Sequence, residues 1–373
     1  VPHLHETLLP GSVFRMKGET LLPLSVCIIA KNEEKHIEEC LKRLSSYGFE
    51  IVLTDTGSTD RTLTIAKKYT DRIYHFEWCD DFSAARNFCM QKASHNWIFS
   101  LDCDEYMEKL DLAALGRCME AHPDRAGRIL IRSRFLRDGL VSYEQTRVSR
   151  LADRRYFHFT GAVHEQLERR DGGTKTIYDA PVTILHVGYD ETESDMREKS
   201  RRNIALLESQ LEREGPDPYL YFQLGQSCRR LGDTEKAFQN FDAGLSLEVD
   251  PSLDYVKTMV ESYGYTLLDL KRNRDALGLA ELYDTFAVRA DFVFLMGLVY
   301  MNNGLFDASI AEFKKAAAME EFSVDGVNSF MAYYNIGVIY ECTGHIQEAR
   351  TYYQKCGGYA PAKARLRMLA EGG

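Results

Sequence analysis

The chain has 373 residues, 45% of them hydrophobic and 27% charged, and a formal net charge of −10. That length accommodates two domains with a sizeable core, and that composition is ordinary for a soluble globular protein. The acidic balance argues against a dedicated nucleic-acid binder, which carries a basic footprint, but leaves room for a small anionic ligand held by local cations. Nine cysteines, an odd number without a C-x-x-C pair, argue against a disulfide framework or a structural zinc site and for a reducing cytoplasm. No apolar run approaches the roughly 18 residues that span a bilayer. Residues 1–22 have little period and read as a tail.

From residue 24 strand-like and helix-like runs alternate. "LSVCIIA" (24–30) suits a buried parallel strand, and "EEKHIEECLKRLSS" follows with Ile37, Cys40, Leu41 and Leu44 on one helical face. "EIVLTD" (50–55) is the next strand, then a helix "RTLTIAKKY" that Ser58 or Thr59 can cap, with Asp60 suited to its positive first turn. A third strand (71–78), a helix (82–93) and a fourth strand "WIFSLD" (97–102) complete the series. Such alternation predicts a parallel sheet covered on both faces, with ligands beyond the carboxyl ends of its strands. Residues 127–190 are richer in strands, and 194–214 form a long amphipathic helix.

The text then becomes repetitive. Gly225, Gly264, Gly297 and Gly337 open similar stretches, and Ala237, Ala276, Ser309 and Ala349 lie twelve positions after them. Phe241, Phe313 and Tyr353 follow four later, with no large residue at that place in the second copy. Spacings of 39, 33 and 40 residues bracket a 34-residue helix-turn-helix unit. Residues 216–362 thus resemble tetratricopeptide repeats, with small residues where helices pack closely. The division expected is a tail over 1–22, an α/β domain over 23–213 and an all-α repeat domain over 214–373.

Polar residues concentrate where the strands end: "AKNEE" (30–34), "DTGSTD" (55–60), "CDDFSAARN" (79–87) and "DCDE" (102–105). The D-x-D spacing lets Asp102 and Asp104 point to one side of an extended segment. Hard oxygen ligands of this kind suit Mg²⁺ or Mn²⁺ bridging to a substrate's phosphates. The positive charge these acids expect is then a metal-bound diphosphate.

The four ordered segments resemble the nucleotide-sugar-binding half of family-2 glycosyltransferases with the GT-A fold. "DDFSAARN" resembles the branch with lipopolysaccharide-core glucosyltransferases and peptide S-glycosyltransferases, and Thr56 departs from the second acid of many relatives. The resemblance implies that Glu33 and Asp55 contact a nucleoside, uridine foremost, that Asp102 lies against ribose and metal, and that Asp104 is the main metal ligand. Arg86 would offset diphosphate charge or orient an acid; a surface salt bridge is its bland alternative. Asn32 is either a donor contact or a turn residue. In "TGAVHEQL" Glu165 is the candidate base, His186 in "ILHVGY" the candidate third metal ligand, and His164 an alternative to either. Lys199 is placed to touch phosphate.

The implied reaction is metal-dependent inverting transfer from a nucleotide-sugar, a UDP-hexose foremost, to a nucleophilic acceptor. Repeats after the catalytic part favour a peptide or protein acceptor over a saccharide, and such solenoids also serve as homodimer faces. Two other classes remain: an inert nucleotide-sugar-binding scaffold, against which the intact acids speak, and a sugar nucleotidyltransferase, which needs a glycine-rich loop where this chain has "AKNEEKH". Phosphate-loop, zinc-protease, hydrolase-elbow and dinucleotide motifs are absent from the sequence.

Overall fold

The computed structural model describes residues 22–137, 140–187 and 193–371, so the expected tail lies, except for Leu22, outside the described residues. The first half follows the sequence order: β1 (Leu24–Ala30), α1 (Ile37–Ser45), β2 (Glu50–Asp55), α2 (Thr62–Ala66), β3 (Ile73–His75), α3 (Phe82–Lys92) and β4 (Trp97–Leu101). These four strands pair in parallel in the order β3-β2-β1-β4. Alternate residues of β1 feed two cores: Leu24, Val26 and Ile28 join the buried face of α1, while Cys27 joins Cys89 and Met90 of α3. Burial on both faces explains the uninterrupted apolar text.

One helix start differs from expectation. Asp60 receives the Thr62 amide at 2.9 Å and the Glu34 amide at 3.1 Å. Ser58 instead uses its hydroxyl to accept the Asn32 amide across the rim at 3.0 Å. The loop carrying Ser58 and Thr59 is thus spent on its neighbour, and Asp60 opens the helix.

The remainder of the sheet is not parallel throughout. The strand β5 (Glu105–Leu110), helix α4 (Leu112–Ala121), strands β6 (Ala126–Arg137), β7 (Leu140–Asp153), β8 (Phe157–Thr160), β9 (Gln166–Arg169) and β10 (Ile177–His186), and helix α5 (Glu193–Glu214) complete this part. The eight-stranded sheet continues past β4 as β7-β6-β10-β5, with β8 and β9 a separate pair. β7 lies antiparallel to both β4 and β6, and β5 antiparallel to β10. β6 and β7 follow one another without an intervening helix and so run antiparallel, and it is β7, the returning strand, that borders β4.

The second half is helical: α6 (Pro218–Leu231), α7 (Thr234–Leu245), α8 (Asp254–Asp269), short turns α9 (Asn273–Ala276) and α10 (Tyr283–Phe286), then α11 (Ala290–Asn302), α12 (Phe306–Ala316), α13 (Phe330–Cys342), α14 (Ile346–Lys355) and α15 (Ala360–Glu371). The repeat glycines sit against the large residue of the following helix. A Cβ on Gly297 would stand 2.6 Å from Phe313, and one on Gly337 would stand 2.6 Å from Tyr353. Gly225 faces Phe241 in the same way. Ser309, where other copies have alanine, is fully buried and donates to the Gly297 carbonyl at 2.7 Å. The second copy lacks the aromatic, Gly264 meets Leu279 and Leu295 instead, and its second helix breaks into α9, a 3₁₀ turn and α10.

The two halves are joined at several points. Arg128 of β6 pairs with Asp254 of α8 at 3.1 Å. The β7 backbone continues as an antiparallel bridge onto the loop after α12: the Gln145 amide reaches the Ser323 carbonyl at 2.7 Å, and the Asp325 amide the Tyr143 carbonyl at 3.0 Å. Asp291 holds that loop by accepting from the Ser323 and Val324 amides at 2.7 and 2.9 Å. Among the described residues no helix is long and apolar enough to cross a membrane.

Candidate active site

The carboxyl ends of β2, β1 and β4 lie side by side, because Ala30 pairs with Asp55 and Ile28 with Leu101 in register. The first two ends are tied together by backbone bonds. Asn32 adopts a left-handed conformation (φ 57°) and its Oδ1 accepts the Thr59 amide at 2.8 Å. The Glu33 amide donates to Thr62 Oγ1 at 2.7 Å. Asp55 is buried and accepts from the Gly57 and Ser58 amides at 3.1 and 3.0 Å, with His75 at 3.6 Å. Gly57 turns at φ 106°, which a side chain rarely tolerates, and this lets the loop fold back over the Asp55 carboxylate. Asn32 is thus a turn residue of the rim, with its Oδ1 occupied there.

At the end of β4 side-chain charges take over. Arg86 of α3 is buried and spans three groups: Ser100 Oγ at 2.8 Å, Asp102 Oδ1 at 2.7 Å and Glu165 Oε1 in a close ion pair. Arg150 of β7 donates from Nη2 to Asp102 Oδ2 and to Glu105 Oε1, each at 3.0 Å. Glu105 also accepts the Asp102 amide at 2.9 Å. Burial pushes the Asp102 carboxyl up, but Arg86 and Arg150 outweigh it and hold the group well below the usual range. Burial raises the Glu105 carboxyl, with Asp102 adding to it and Arg150 partly offsetting it.

Asp104 stands apart from this network and faces His186, Nε2 to Oδ2 at 3.2 Å, while Nδ1 of His186 lies 3.2 Å from Ser133 Oγ. Burial raises the Asp104 carboxyl, but His186 dominates and lowers it, with Lys199 of α5 adding a favourable field. The same contact raises His186 against the lowering effect of its burial. His164 has a left-handed backbone (φ 53°) and a buried Nε2 without a protein partner, and burial lowers its imidazole to about 4.

The opening expectation for the D-x-D segment needs revision on one point. Part of the positive charge is built into the protein: Asp102 accepts from Arg86 on Oδ1 and from Arg150 on Oδ2. Glu165 likewise already carries a cation on Oε1. The carboxylate of Asp104 and the imidazole of His186 converge and are donor types that Mg²⁺ or Mn²⁺ accepts, so this pair would suit a divalent ion. Among the described residues no cluster of three or more His, Cys, Asp or Glu could hold a metal by itself.

Arg150 belongs to the site yet carries no sequence signal, and Glu105 lies in "DCDE" without being set apart from its neighbours. Arg150 is one of several arginines in "RVSRLADRR". Its selection comes from a bulge: Arg128 pairs with Ser149 and Gly127 with Leu151, leaving Arg150 as the extra residue. A bulge re-aims the side chain it carries, here toward Asp102 and Glu105.

Comparison with known proteins finds matches in both halves of the chain. Residues 25–159 match the family described as glycosyl transferase family 2, and residues 218–248, 290–322 and 332–363 match the tetratricopeptide repeat, omitting the broken second copy. The chain is 27% identical to a TPR repeat-containing protein of Synechococcus elongatus, over 88% of this chain and 73% of that one. It is 28% identical to the SPbeta prophage-derived glycosyltransferase SunS of Bacillus subtilis, over 65% of this chain and 54% of that one. With the lipopolysaccharide core biosynthesis glycosyltransferase LpsC of Rhizobium meliloti it shares 31% identity over 31% of this chain and 44% of that one. The chain thus spans about half the length of two of these relatives and more of the first. Residues 25–159 thus form a family 2 glycosyl transferase domain, and tetratricopeptide repeats follow it.

Proposed function

We propose that this chain is a metal-dependent inverting glycosyltransferase that moves a sugar, a hexose in the first instance, from UDP to a nucleophilic group of a peptide or protein. The observation that carries the reading is the division of labour at the end of β4. One acid, Asp102, is neutralised by Arg86 and Arg150, while Asp104 is left facing His186. Asp104 and His186 would hold Mn²⁺ or Mg²⁺, which when bound supplies charge neutralisation for the departing diphosphate. Glu33 and Asp55 on the adjoining rim would meet the nucleoside, with Asn32 shaping the loop around it. Asp102 would lie near the ribose, and Lys199 would lend charge to the phosphates.

In this reading Glu165 takes the proton from the acceptor as the acceptor attacks the anomeric carbon, and the bond from that carbon to UDP breaks. Arg86 binds Oε1 of Glu165 and so fixes the direction of the other oxygen. His164, its imidazole held neutral by burial, serves in shaping this loop or as the alternative base. The division near residues 213 and 214, a homodimer through the repeats and residence in a reducing cytoplasm belong to the same proposal. The peptide or protein acceptor is supported by repeats following the transferase part, and the reducing compartment by nine unpaired cysteines.

The test is thermal unfolding with UDP as the probe. UDP should stabilise the chain only when Mn²⁺ is present, by the linkage of ligand to native state, about 2.7 kcal/mol at a hundredfold excess over Kd. Asp104→Ala should fold normally and lose that stabilisation. Equal stabilisation without metal, or undiminished in Asp104→Ala, overturns the metal role.

A further inference from the structure

The loop that bears Glu165 has no regular secondary structure of its own. It runs from Gly161 (φ 94°) through His164 (φ 53°), two left-handed positions in four residues. At its start the Phe82 amide donates to the Ala162 carbonyl at 2.8 Å. Val163 is buried in a cluster with Leu207 of α5 and with Leu220 and Leu224 of α6. The ring of His164 adds no protein bond through Nε2. Gln166 opens β9 and pairs with Thr160 of β8, and the first repeat adds side-chain bonds on either side of Glu165. Gln166 donates from Nε2 to Tyr219 Oη at 2.6 Å and to the His164 carbonyl at 3.3 Å. Tyr219 Oη in turn donates to the His164 carbonyl at 3.4 Å.

We propose that Tyr219 of the first repeat is a positioning residue for Glu165, so that the repeat region completes the active site besides extending from it. This rests on the reading of Glu165 as the base. The phenol gathers residues 164 and 166, and so fixes the peptide planes between them. Its own ring is fixed by Tyr255 of α8 edge-on at 5.2 Å and by Phe222 at 6.2 Å. The far side of Glu165 is held by Arg86. Glu165 is therefore held at its carboxylate by a helix of the sheet domain and through its two neighbours by a helix of the repeats. An error of about 1 Å in the placement of a reacting group can cost about a hundredfold in rate, so a clamp of this kind has a kinetic consequence.

The test uses the full chain with Tyr219→Phe, which deletes the hydroxyl and keeps the ring, and Gly297→Ala, which crowds Phe313 in a later repeat and leaves Tyr219 and its ring contacts in place. Hydrogen exchange of the amides from 161 to 166 should quicken about tenfold in Tyr219→Phe, while protection elsewhere is unchanged. UDP release from UDP-glucose, UDP-galactose and UDP-N-acetylglucosamine with Mn²⁺ should show kcat about tenfold lower and donor KM within about twofold of the parent. Gly297→Ala should lower the unfolding temperature and keep kcat. Unchanged exchange in Tyr219→Phe, or faster exchange with kcat unaffected, overturns the proposal. A parent chain that releases UDP from none of these donors counts against the transferase reading, and the exchange result then decides the clamp by itself.

Discussion

The rim of the sheet and the solenoid solve opposite problems. In the repeats the contact that matters lies between residues 16 apart, Gly297 with Phe313 and Gly337 with Tyr353. At the rim it lies between residues far apart in the chain: Arg86 with Glu165, Arg150 with Asp102, His186 with Asp104. The first kind is shape: a missing side chain receives a ring. The second is charge, and a buried charge is tolerated only when its partner and its remaining hydrogen bonds are in place. The difference teaches that a local fit can recur as a spacing, whereas a charge network is assembled by topology.

Substitutions can break each half of that contrast. Arg150→Met carries the largest expected effect on stability. It leaves Asp102 with a single cation and removes the only guanidinium bonded to Glu105 among the described residues, so a loss of about 3–5 kcal/mol in urea unfolding is expected. A loss under about 1 kcal/mol would place this pair with ordinary surface bridges.

His164 tests whether the neighbouring loop follows the charge logic as well. Its imidazole lies near 4 in the fold against 6.5 ordinarily, because burial and the nearby Arg230 disfavour the cation. The unfolded chain binds the proton more readily, so this stability is whole above pH 6.5 and is lost progressively as pH falls toward 4. The full effect is at most about 3 kcal/mol. Asn tolerates the left-handed backbone. His164→Asn should therefore flatten that stretch of the stability–pH curve, and an unaltered slope between the two chains would refute the account.

The solenoid side should respond to size. Gly297→Ala forces Phe313 aside and should cost about 1–3 kcal/mol. Ser309→Ala removes only the hydrogen bond to the Gly297 carbonyl and should cost about 1 kcal/mol. If the two variants unfolded at one temperature, close packing would not be what the glycine secures.

Much of the architecture is legible before any coordinates. The apolar text of β1 and β2 and the helical face of α1 appear where expected, because two-sided burial and amphipathic spacing are local patterns. β5 and β7 are harder to see. "EYMEKL" and "LVSYEQTRVSRLAD" carry charges at many positions, since those strands are only partly covered. At the rim Asp55, Asp102, Asp104, Arg86 and Glu165 stand out as residues after strands or in recurrent motifs. Nothing local distinguishes Arg150 from Arg147 or Arg154, or marks Tyr219 among the tyrosines of α6.

By itself the sequence determined that an alternating α/β domain precedes helical repeats and that acids cluster at the strand ends, because hydrophobic period and small-residue spacing are written within a few turns of chain. Only the tertiary structure decided which acid is neutralised and which faces an imidazole, which arginine a bulge turns inward, and that a repeat helix grips the loop of Glu165. Those outcomes depend on strand order and on how two domains meet. The energies of buried charge and of long-range hydrogen bonds exist only once distant segments have been brought together.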